Sequence, residues 1–276
     1  MAPILNLIGA GRVGRVLARR FADAGVFAIQ DVLTRSGASA RAAVGFIGQG
    51  RAATDIASMR PAQVWMVAVG DDQIAPSAAA LAADRALDGA VVFHCSGARA
   101  ADALDACASR GALTASVHPV RSFADPERVA TDFAGTFCGI EGSQEALDRL
   151  APALAAIGAR ALPIASSAKT VYHAASVFAS NYLVTVMDAA LRAYVAAGVP
   201  EQLARELAAP LASETLSNVL RLGPEQALTG PIARGDVATV ARQQAALDAW
   251  DGATGTTYRA LADATWTLAR RRSAGA

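Results

Sequence analysis

The stretch Ile4-Leu5-Asn6-Leu7-Ile8-Gly9-Ala10-Gly11-Arg12-Val13-Gly14 decides the fold of this chain. Residues 4–8 form a short apolar run without helical period, which predicts a strand buried on both faces. A G-x-G-x-x-G follows directly, and a helical pattern begins at once in Val13, Val16 and Leu17. The order strand, glycine turn and helix is the context in which this motif binds a dinucleotide, so we predict a dinucleotide site here.

Each glycine of the turn has a distinct task in a dinucleotide-binding fold. The first permits the tight turn, the second lets a pyrophosphate approach the backbone, and the third lets the helix lie close to the strand. The start of the helix adds free N–H groups and the positive end of its dipole. We therefore predict cofactor contacts from Gly9, Ala10, Gly11, Arg12, Val13 and Gly14. A tight strand-to-helix turn without a ligand is the alternative interpretation.

The end of the second predicted strand, residues 29–33, bears on the identity of the cofactor. An acidic residue there would bind the adenosine ribose of NAD. Asp31 lies near that spacing, but the apolar strand continues beyond it. The strand leads into Thr34-Arg35-Ser36, and a guanidinium between two hydroxyl groups suits a 2′-phosphate. The sequence therefore predicts NADP over NAD, with Thr34, Arg35 and Ser36 in contact with it. An exposed loop arginine is the alternative.

Further apolar runs alternate with helical patterns as far as residue 164. The predicted strands cover residues 64–69, 90–93, 113–117, 136–140 and 160–164. This alternation predicts right-handed crossovers and one parallel sheet, whose ligand crevice lies at the carboxyl ends of the strands. The residues at two of these strand ends are expected to contact the cofactor, namely Val69, Gly70 and Ser96. Asp71 or Asp72 is expected to cap the next helix.

The character of the chain changes near residue 165. Strand patterns cease, and long helical patterns occupy residues 168–197, 200–222 and 237–272. We therefore predict an α/β domain with a parallel sheet over residues 1–165 and an all-α domain over residues 166–276.

Composition excludes several functional classes. The 276 residues are 53% hydrophobic and 18% charged, which predicts a soluble globular protein. A net charge of +1 leaves no electrostatic footprint for nucleic acid or an anionic membrane, and no apolar run approaches the length of a membrane span. The three cysteines form no paired framework, which favours a reducing cytoplasm. The three histidines lack ligand spacing, so we expect no metal site.

Polar residues recur at spacings of three or four along the first long helix. They are Lys169, Tyr172, His173, Ser176 and Ser180 or Asn181. A polar stripe on an otherwise apolar helix is costly to bury without hydrogen-bond partners, so we expect it to line a crevice. Lys169 and His173 are one turn apart, and both could reach one substrate oxygen. A surface lysine with a core histidine is the alternative.

His118 is a further candidate for acid–base chemistry. It follows a predicted strand and precedes Pro119, which favours an extended backbone. An imidazole there would suit proton transfer near neutral pH, or it would fix a loop by hydrogen bonds. Ser96 could touch substrate or cofactor, whereas His94 is expected to be structural.

Several of these motifs together resemble one family. They are the glycine turn, Thr34-Arg35-Ser36, His94-Cys95-Ser96-Gly97, residues 118–123, Lys169-Thr-Val-Tyr-His173, residues 179–182 and residues 227–236. The chain resembles bacterial Rossmann-like proteins with a helical C-terminal domain of unknown function, DUF2520. That family looks related to pyrroline-5-carboxylate reductase, to deazaflavin-dependent NADP reductase, and to the 6-phosphogluconate and β-hydroxyacid dehydrogenases. The resemblance implies a Rossmann-type domain, an all-α domain and a homodimer formed through the C-terminal helices.

Two residue matches accompany this resemblance. Lys169 is similar to the catalytic lysine of β-hydroxyacid dehydrogenases, although His173 stands where those enzymes have asparagine. The pair His118-Pro119 is similar to a His-Pro of prephenate dehydrogenases, whose histidine contacts the reacting hydroxyl. Because shared folds do not fix a substrate, we carry over position only.

The sequence therefore predicts an NADP-dependent oxidoreductase acting on a small carbonyl, imine or hydroxy substrate. Lys169 is predicted to donate or accept the proton, and His173 and His118 to polarise or orient the substrate oxygen. Ser96 and Asn181 are predicted to position the substrate. A non-catalytic NADP(H) sensor is the main alternative. A methyltransferase using S-adenosylmethionine is disfavoured, because it would want an acidic residue where Arg35 stands.

Overall fold

The computed structural model describes residues 1–274 of the chain. The chain divides into two compact units, which separate between Ser180 and Asn181. The last strand ends at Pro163, close to the predicted domain boundary at residue 165. The helix that follows belongs to the first unit because its Lys169 side chain is buried there, 2% exposed.

The first unit is built on one eight-stranded sheet with the order β3-β2-β1-β4-β5-β6-β7-β8. Its strands are β1 (Ile4–Ile8), β2 (Ala28–Leu33), β3 (Arg51–Ala53), β4 (Val64–Val67), β5 (Val91–His94), β6 (Leu113–Pro119), β7 (Phe137–Gly142) and β8 (Arg160–Pro163). Its α-helices are α1 (Arg12–Asp23), α2 (Gly37–Ile47), α3 (Asp71–Asp84), α4 (Asp105–Ala108), α5 (Pro126–Thr131), α6 (Gln144–Ala156) and α7 (Lys169–Val177). Short 3₁₀ turns, Ala101–Leu104 and Ser166–Ala168, precede α4 and α7.

The central strands are buried on both faces, as expected where helices cover a parallel sheet. Every residue of β4 and β5 is buried, as are four of the five residues of β1. The strand order reverses between β1 and β4, which are paired in parallel. Ligands of such sheets bind outside the carboxyl ends of the strands at this reversal. The predicted α/β fold class is confirmed.

One part of the predicted topology is wrong, because the sheet is not parallel throughout. Strand β7 pairs antiparallel with β6, with Gly139 opposite His118. The connection between them, residues 120–136, carries only the six-residue helix α5. A connection of this length permits a parallel or an antiparallel return, as the parallel pairing of β5 with β6 across residues 95–112 shows, so the direction of β7 is set by packing and not by the length of the connection. Strand β8 then pairs in parallel with β7.

Two local expectations also need correction. Strand β6 continues through His118 and Pro119, which the sequence analysis placed after the strand. The N-cap of α3 is Gly70, so Asp71 and Asp72 lie in the first helical turn and neither caps the helix. Acidic residues still favour that turn through the helix dipole.

The second unit is entirely helical in the residues that the structure describes. Its helices are α8 (Leu183–Ala196), α9 (Glu201–Leu222), α10 (Pro224–Ala227), α11 (Gly230–Ala233), α12 (Val237–Trp250) and α13 (Gly252–Ala274). The predicted helix over residues 237–272 is interrupted at Asp251, whose backbone is extended. The Asp251 carboxylate accepts from the Ala253 N–H and the Thr254 hydroxyl, so it caps the start of α13.

A five-residue π-helix, Phe178–Tyr182, joins α7 to α8. The resulting helical stretch, Ser166–Ala196, has a mean hydropathy of 1.3 and passes the length and composition test for a membrane span. The expectation that no segment reaches this length and hydropathy is therefore wrong. The test weighs length and composition alone, and a helix that packs against another protein chain passes it equally.

Candidate functional site

The glycine turn has a shape that side chains would destroy. Gly9 has φ +83° and donates its N–H to the Leu33 carbonyl at 2.8 Å, which joins the turn to the end of β2. A Cβ at Gly9 would lie 2.5 Å from the Ala68 carbonyl oxygen, and one at Gly14 would lie 2.7 Å from the Ala68 Cβ. Both glycines are thus required by the close packing of the turn and α1 against the end of β4.

Gly11 differs from these two glycines. A Cβ placed at Gly11 would meet no described atom within 4 Å, and its φ of −64° suits any residue. Gly11 is also the N-cap of α1, where it brings no capping side chain to the first N–H groups of the helix. Open space above unpartnered N–H groups fits a pyrophosphate, which would take the room that a side chain would fill.

A cavity of about 480 Å³ lies beside this turn. Its walls come from the glycine turn, from the ends of β4, β5 and β6, and from α7. The lining residues are Gly11, Arg12, Val13, Gly14, Ala68, Val69, Gly70, Asp71, Cys95, Ser96, Gly97, His118, Pro119, Arg121, Phe123 and His173. Four of the six residues predicted from the glycine turn, residues 11–14, thus meet residues from three separate strand ends at one cavity. Gly9 and Ala10 are not among the lining residues that the structure describes.

The residues predicted to read the adenosine ribose lie at the end of β2. Thr34, Ser36 and Ser39 form a local hydroxyl network in which Ser36 caps α2, and the Arg35 side chain is exposed. Asp31 is fully buried and accepts hydrogen bonds from Arg60 and Arg51. Burial alone would raise the pKa of Asp31, but these hydrogen bonds lower it to about 2. Asp31 is therefore committed to a structural ion cluster.

Two histidines face each other across the cavity wall. The rings of His118 and His173 are T-shaped with centroids 5.5 Å apart. The His118 Nδ1 atom lies 3.1 Å from the Tyr172 hydroxyl oxygen. Desolvation, with smaller contributions from His173 and Lys169, lowers the pKa of His118 to about 4. His118 is consequently a neutral imidazole at pH 7.

Lys169 lies deeper than the sequence suggests. Its ammonium donates to the Ser96 carbonyl at 3.0 Å and to the Ser116 hydroxyl, and it lies 4.0 Å from the Glu141 carboxylate. Burial lowers the pKa of Lys169, and the Glu141 charge opposes this. His173 lines the cavity, whereas Lys169 is not among the lining residues that the structure describes.

Glu141 connects the buried Lys169 ammonium to the two 3₁₀ turns. One carboxylate oxygen accepts from the Ala101 N–H at 2.7 Å, and the other accepts from the Ser166 hydroxyl at 2.7 Å. Glu141 thereby ties β7 to both 3₁₀ turns, while Lys169 ties α7 to the loop that carries Ser96. The pair holds together the elements that shape the cavity.

His94 is buried, as the sequence analysis expected of a structural residue. Its Nδ1 accepts from the Ser96 N–H at 3.1 Å, and its Nε2 lies 3.0 Å from the Ala100 carbonyl. Burial lowers the pKa of His94 to about 4. The Ser96 hydroxyl accepts from the Ala98 and Arg99 N–H groups, so it shapes the loop as well as lining the cavity.

Other predicted residues lie elsewhere. Asn181 is the first residue of the second unit, and residues 34–36 are not among the cavity-lining residues that the structure describes. Sequence reasoning missed Arg121 and Phe123 in the cavity wall, and Glu141 beneath it. A carboxylate and a hydroxyl, Glu141 and Ser116, inside otherwise apolar strands were the available signal for a buried polar network.

The strand order, the glycine turn and the cavity at the strand ends define a Rossmann-like nucleotide-binding fold with a helical second unit. The Rossmann-like domain model matches residues 4–119, and the model of the domain of unknown function DUF2520 matches residues 136–265. The chain belongs to the Rossmann-like proteins that carry a DUF2520 domain, as the sequence resemblance indicated.

Solved structures share this architecture over nearly the whole chain. A candidate NADP oxidoreductase from Bacteroides fragilis is 23% identical with a TM-score of 0.80, covering 96% of this chain and 98% of that one. A Thermotoga maritima protein is 26% identical with a TM-score of 0.72, covering 98% and 100%. An imine reductase from Myxococcus stipitatus, solved with NADP+, is 18% identical with a TM-score of 0.63, covering 99% and 95%. No curated protein matches the chain significantly in sequence.

Proposed function

We propose that this protein is a nicotinamide-dependent oxidoreductase that prefers NADP. The observation that carries the proposal is the open space over Gly11 at the start of α1, in the wall of the cavity that also contains His118 and His173. A pyrophosphate held there by the helix N-terminus would direct the rest of the dinucleotide along the strand ends. Similar folds solved with NADP, such as the imine reductase, add support.

The chemistry would be hydride transfer between the nicotinamide ring, which supplies or takes the hydride, and a small carbonyl, imine or hydroxy compound. His118 is proposed to contact the reacting oxygen or nitrogen, because it lines the cavity and is neutral at pH 7. His173 is proposed to orient the same group. Lys169, proposed from the sequence as the proton donor, is better suited to an electrostatic role, because its ammonium is held by Ser96, Ser116 and Glu141.

The cofactor site is tested by filling the space over Gly11. We expect Gly11→Val to abolish NADPH binding in isothermal titration while leaving the unfolding temperature close to wild type. Gly45→Val is the matched control, since Gly45 also has no described atom within 4 Å of a Cβ position and belongs to α2. Equal NADPH affinity in the two variants would refute the pyrophosphate site. A panel of imines, keto acids and hydroxy acids, assayed by NADPH absorbance, then tests turnover.

The preference for NADP is proposed from Arg35. Its exposed guanidinium follows β2, next to the glycine turn that bonds to Leu33. Guanidinium groups pair well with phosphate, and a 2′-phosphate distinguishes NADP from NAD. Comparison of NADPH and NADH titrations on the wild-type protein tests this preference directly.

We also propose a homodimer formed through the helical unit. Large apolar side chains are exposed there, with Val184 at 69%, Leu211 at 58% and Leu220 at 80%. Exposed apolar surface of this extent is typical of a face that another protein covers. A second copy of the chain is the proposed cover. Sedimentation velocity would then show a dimer that Leu211→Glu weakens, whereas a monomer that floats with lipid vesicles would indicate a membrane surface instead.

A further inference from the structure

Tyr172 contacts His118 from behind the cavity wall. Its hydroxyl oxygen lies 3.1 Å from the His118 Nδ1 atom, and the two rings are T-shaped with centroids 5.6 Å apart. Tyr172 is half-buried and is not among the cavity-lining residues that the structure describes. It therefore touches the inner ring nitrogen of His118 and acts on the cavity only through that histidine.

Gly139 makes room for this hydroxyl. It lies directly opposite His118 in the antiparallel β6–β7 pair. A Cβ at Gly139 would lie 2.4 Å from the Tyr172 hydroxyl oxygen, so a side chain there would displace the phenol. The absence of a side chain at Gly139 thus lets the phenol stay within hydrogen-bond distance of His118.

The outer ring nitrogen of His118 faces Gly97 and the cavity. A Cβ at Gly97 would lie 2.8 Å from the His118 Nε2 atom and 2.4 Å from the His173 Cδ2 atom. Both imidazole rings thus pack against the Gly97 backbone, in the space that a side chain would need. Because Gly97 and His118 both line the cavity, the ring nitrogen beside Gly97 is the one on the cavity side of His118.

We propose that Tyr172 is a positioning residue that donates its phenolic proton to Nδ1 of His118, so that the neutral imidazole carries its proton on Nε2 and directs that N–H into the cavity. The proposal rests on the proposed function and narrows its substrate class. An N–H donor stabilises negative charge developing on a carbonyl oxygen or an imine nitrogen. His118 would therefore serve the reduction of C=O or C=N bonds and not the deprotonation of an alcohol.

Desolvation, together with smaller contributions from the surrounding charges, lowers the pKa of His118 and keeps it in the neutral form that this tautomer needs. His173 and Lys169 of α7 disfavour its protonation, and Asp71 of α3 opposes them more weakly. Tyr172 itself stays protonated at neutral pH, because burial raises the pKa of its phenol. A neutral imidazole carries one ring proton. If Nδ1 of His118 accepts from Tyr172, that proton is on Nε2.

The test is long-range ¹H–¹⁵N NMR of the full chain labelled with [¹⁵N]histidine, without cofactor or substrate. His118 signals are identified by their loss in His118→Gln. At pH 7 we expect a protonated Nε2 and an unprotonated Nδ1 in the wild type. Tyr172→Phe removes one hydrogen bond and should shift the tautomer ratio about two- to tenfold towards Nδ1–H. Tyr258→Phe, which loses a hydroxyl bonded to Gln243 in the helical unit, should leave it unchanged.

The proposal is overturned if wild-type His118 is protonated on Nδ1 or on both nitrogens at pH 7. It is equally overturned if Tyr172→Phe leaves the tautomer ratio at its wild-type value. Gly139→Ala gives an independent check, because its Cβ should displace the phenol and reproduce the effect of Tyr172→Phe. Since the spectra need neither cofactor nor turnover, this result is separate from the NADPH titrations that test the proposed function.

Discussion

The buried pair Lys169–Glu141 allows a quantitative prediction about stability. Glu141→Gln keeps the shape of the side chain but removes the negative charge that faces an ammonium only 2% exposed. Removing one partner of a buried pair typically costs about 3–5 kcal/mol, because the other charge is left uncompensated. The new amide also presents an NH₂ group to Ala101 N–H or to Ser166, both of which donate to the carboxylate in the wild type.

The expected loss is large against the total stability. Domains are stable by about 5–15 kcal/mol, and for units of this size each kcal/mol shifts the unfolding temperature by about 2–4 °C. Glu141→Gln should therefore lower the unfolding temperature of the first unit by about 6–20 °C. The buried Trp65 reports this unit in urea titrations when Trp250 and Trp266 are changed to Phe.

A double-mutant cycle with Lys169→Met completes the test. The double variant should lose less stability than the two single losses combined, with a coupling of about 0.5–3 kcal/mol. If Glu141→Gln unfolds within about 1 kcal/mol of the wild type, the reasoning fails, and Lys169 is then neutral in the folded protein. A neutral Lys169 would support its predicted role as the group that donates or accepts the proton.

Three further predictions follow from other contacts. Because the pKa of His94 is lowered from 6.5 to about 4, the neutral side chain contributes fully to stability above pH 6.5, and this contribution is lost as the pH falls through 4. The loss amounts to about 3 kcal/mol of unfolding free energy. His94→Gln should flatten the pH dependence of the unfolding free energy, measured by urea titrations at successive pH values. Arg35→Ala should weaken NADPH binding about 10- to 100-fold and leave NADH binding nearly unchanged in calorimetry, while equal losses would contradict the NADP assignment. Asp251→Ala removes the cap of α13 and the ion pair with Arg192, and it should speed hydrogen exchange at residues 252–255 while residues in α9 exchange as before.

The local features of the first unit could be read from the chain itself. Strand β1, the glycine turn and α1 are neighbours in sequence, and each glycine has a local backbone task. The buried strands could be predicted because each is a short apolar run of typical strand length. The break at Asp251 could not be predicted in this way, because the helical pattern of apolar residues continues through it. The helix ends there because the Asp251 carboxylate caps the start of α13.

Contacts between distant residues were decided by the tertiary structure. The antiparallel course of β7 depends on how the strand packs in the sheet, which the period of its apolar residues does not record. Lys169 is the clearest case: its helical spacing was visible, but its burial against Ser96, Ser116 and Glu141 was not. The sequence by itself determined a glycine turn at a strand end, because that chemistry is local. Only the packed sheet decided which ring nitrogen of His118 meets a tyrosine 54 positions further along, because hydrogen bonds at such separation exist only once the chain has folded.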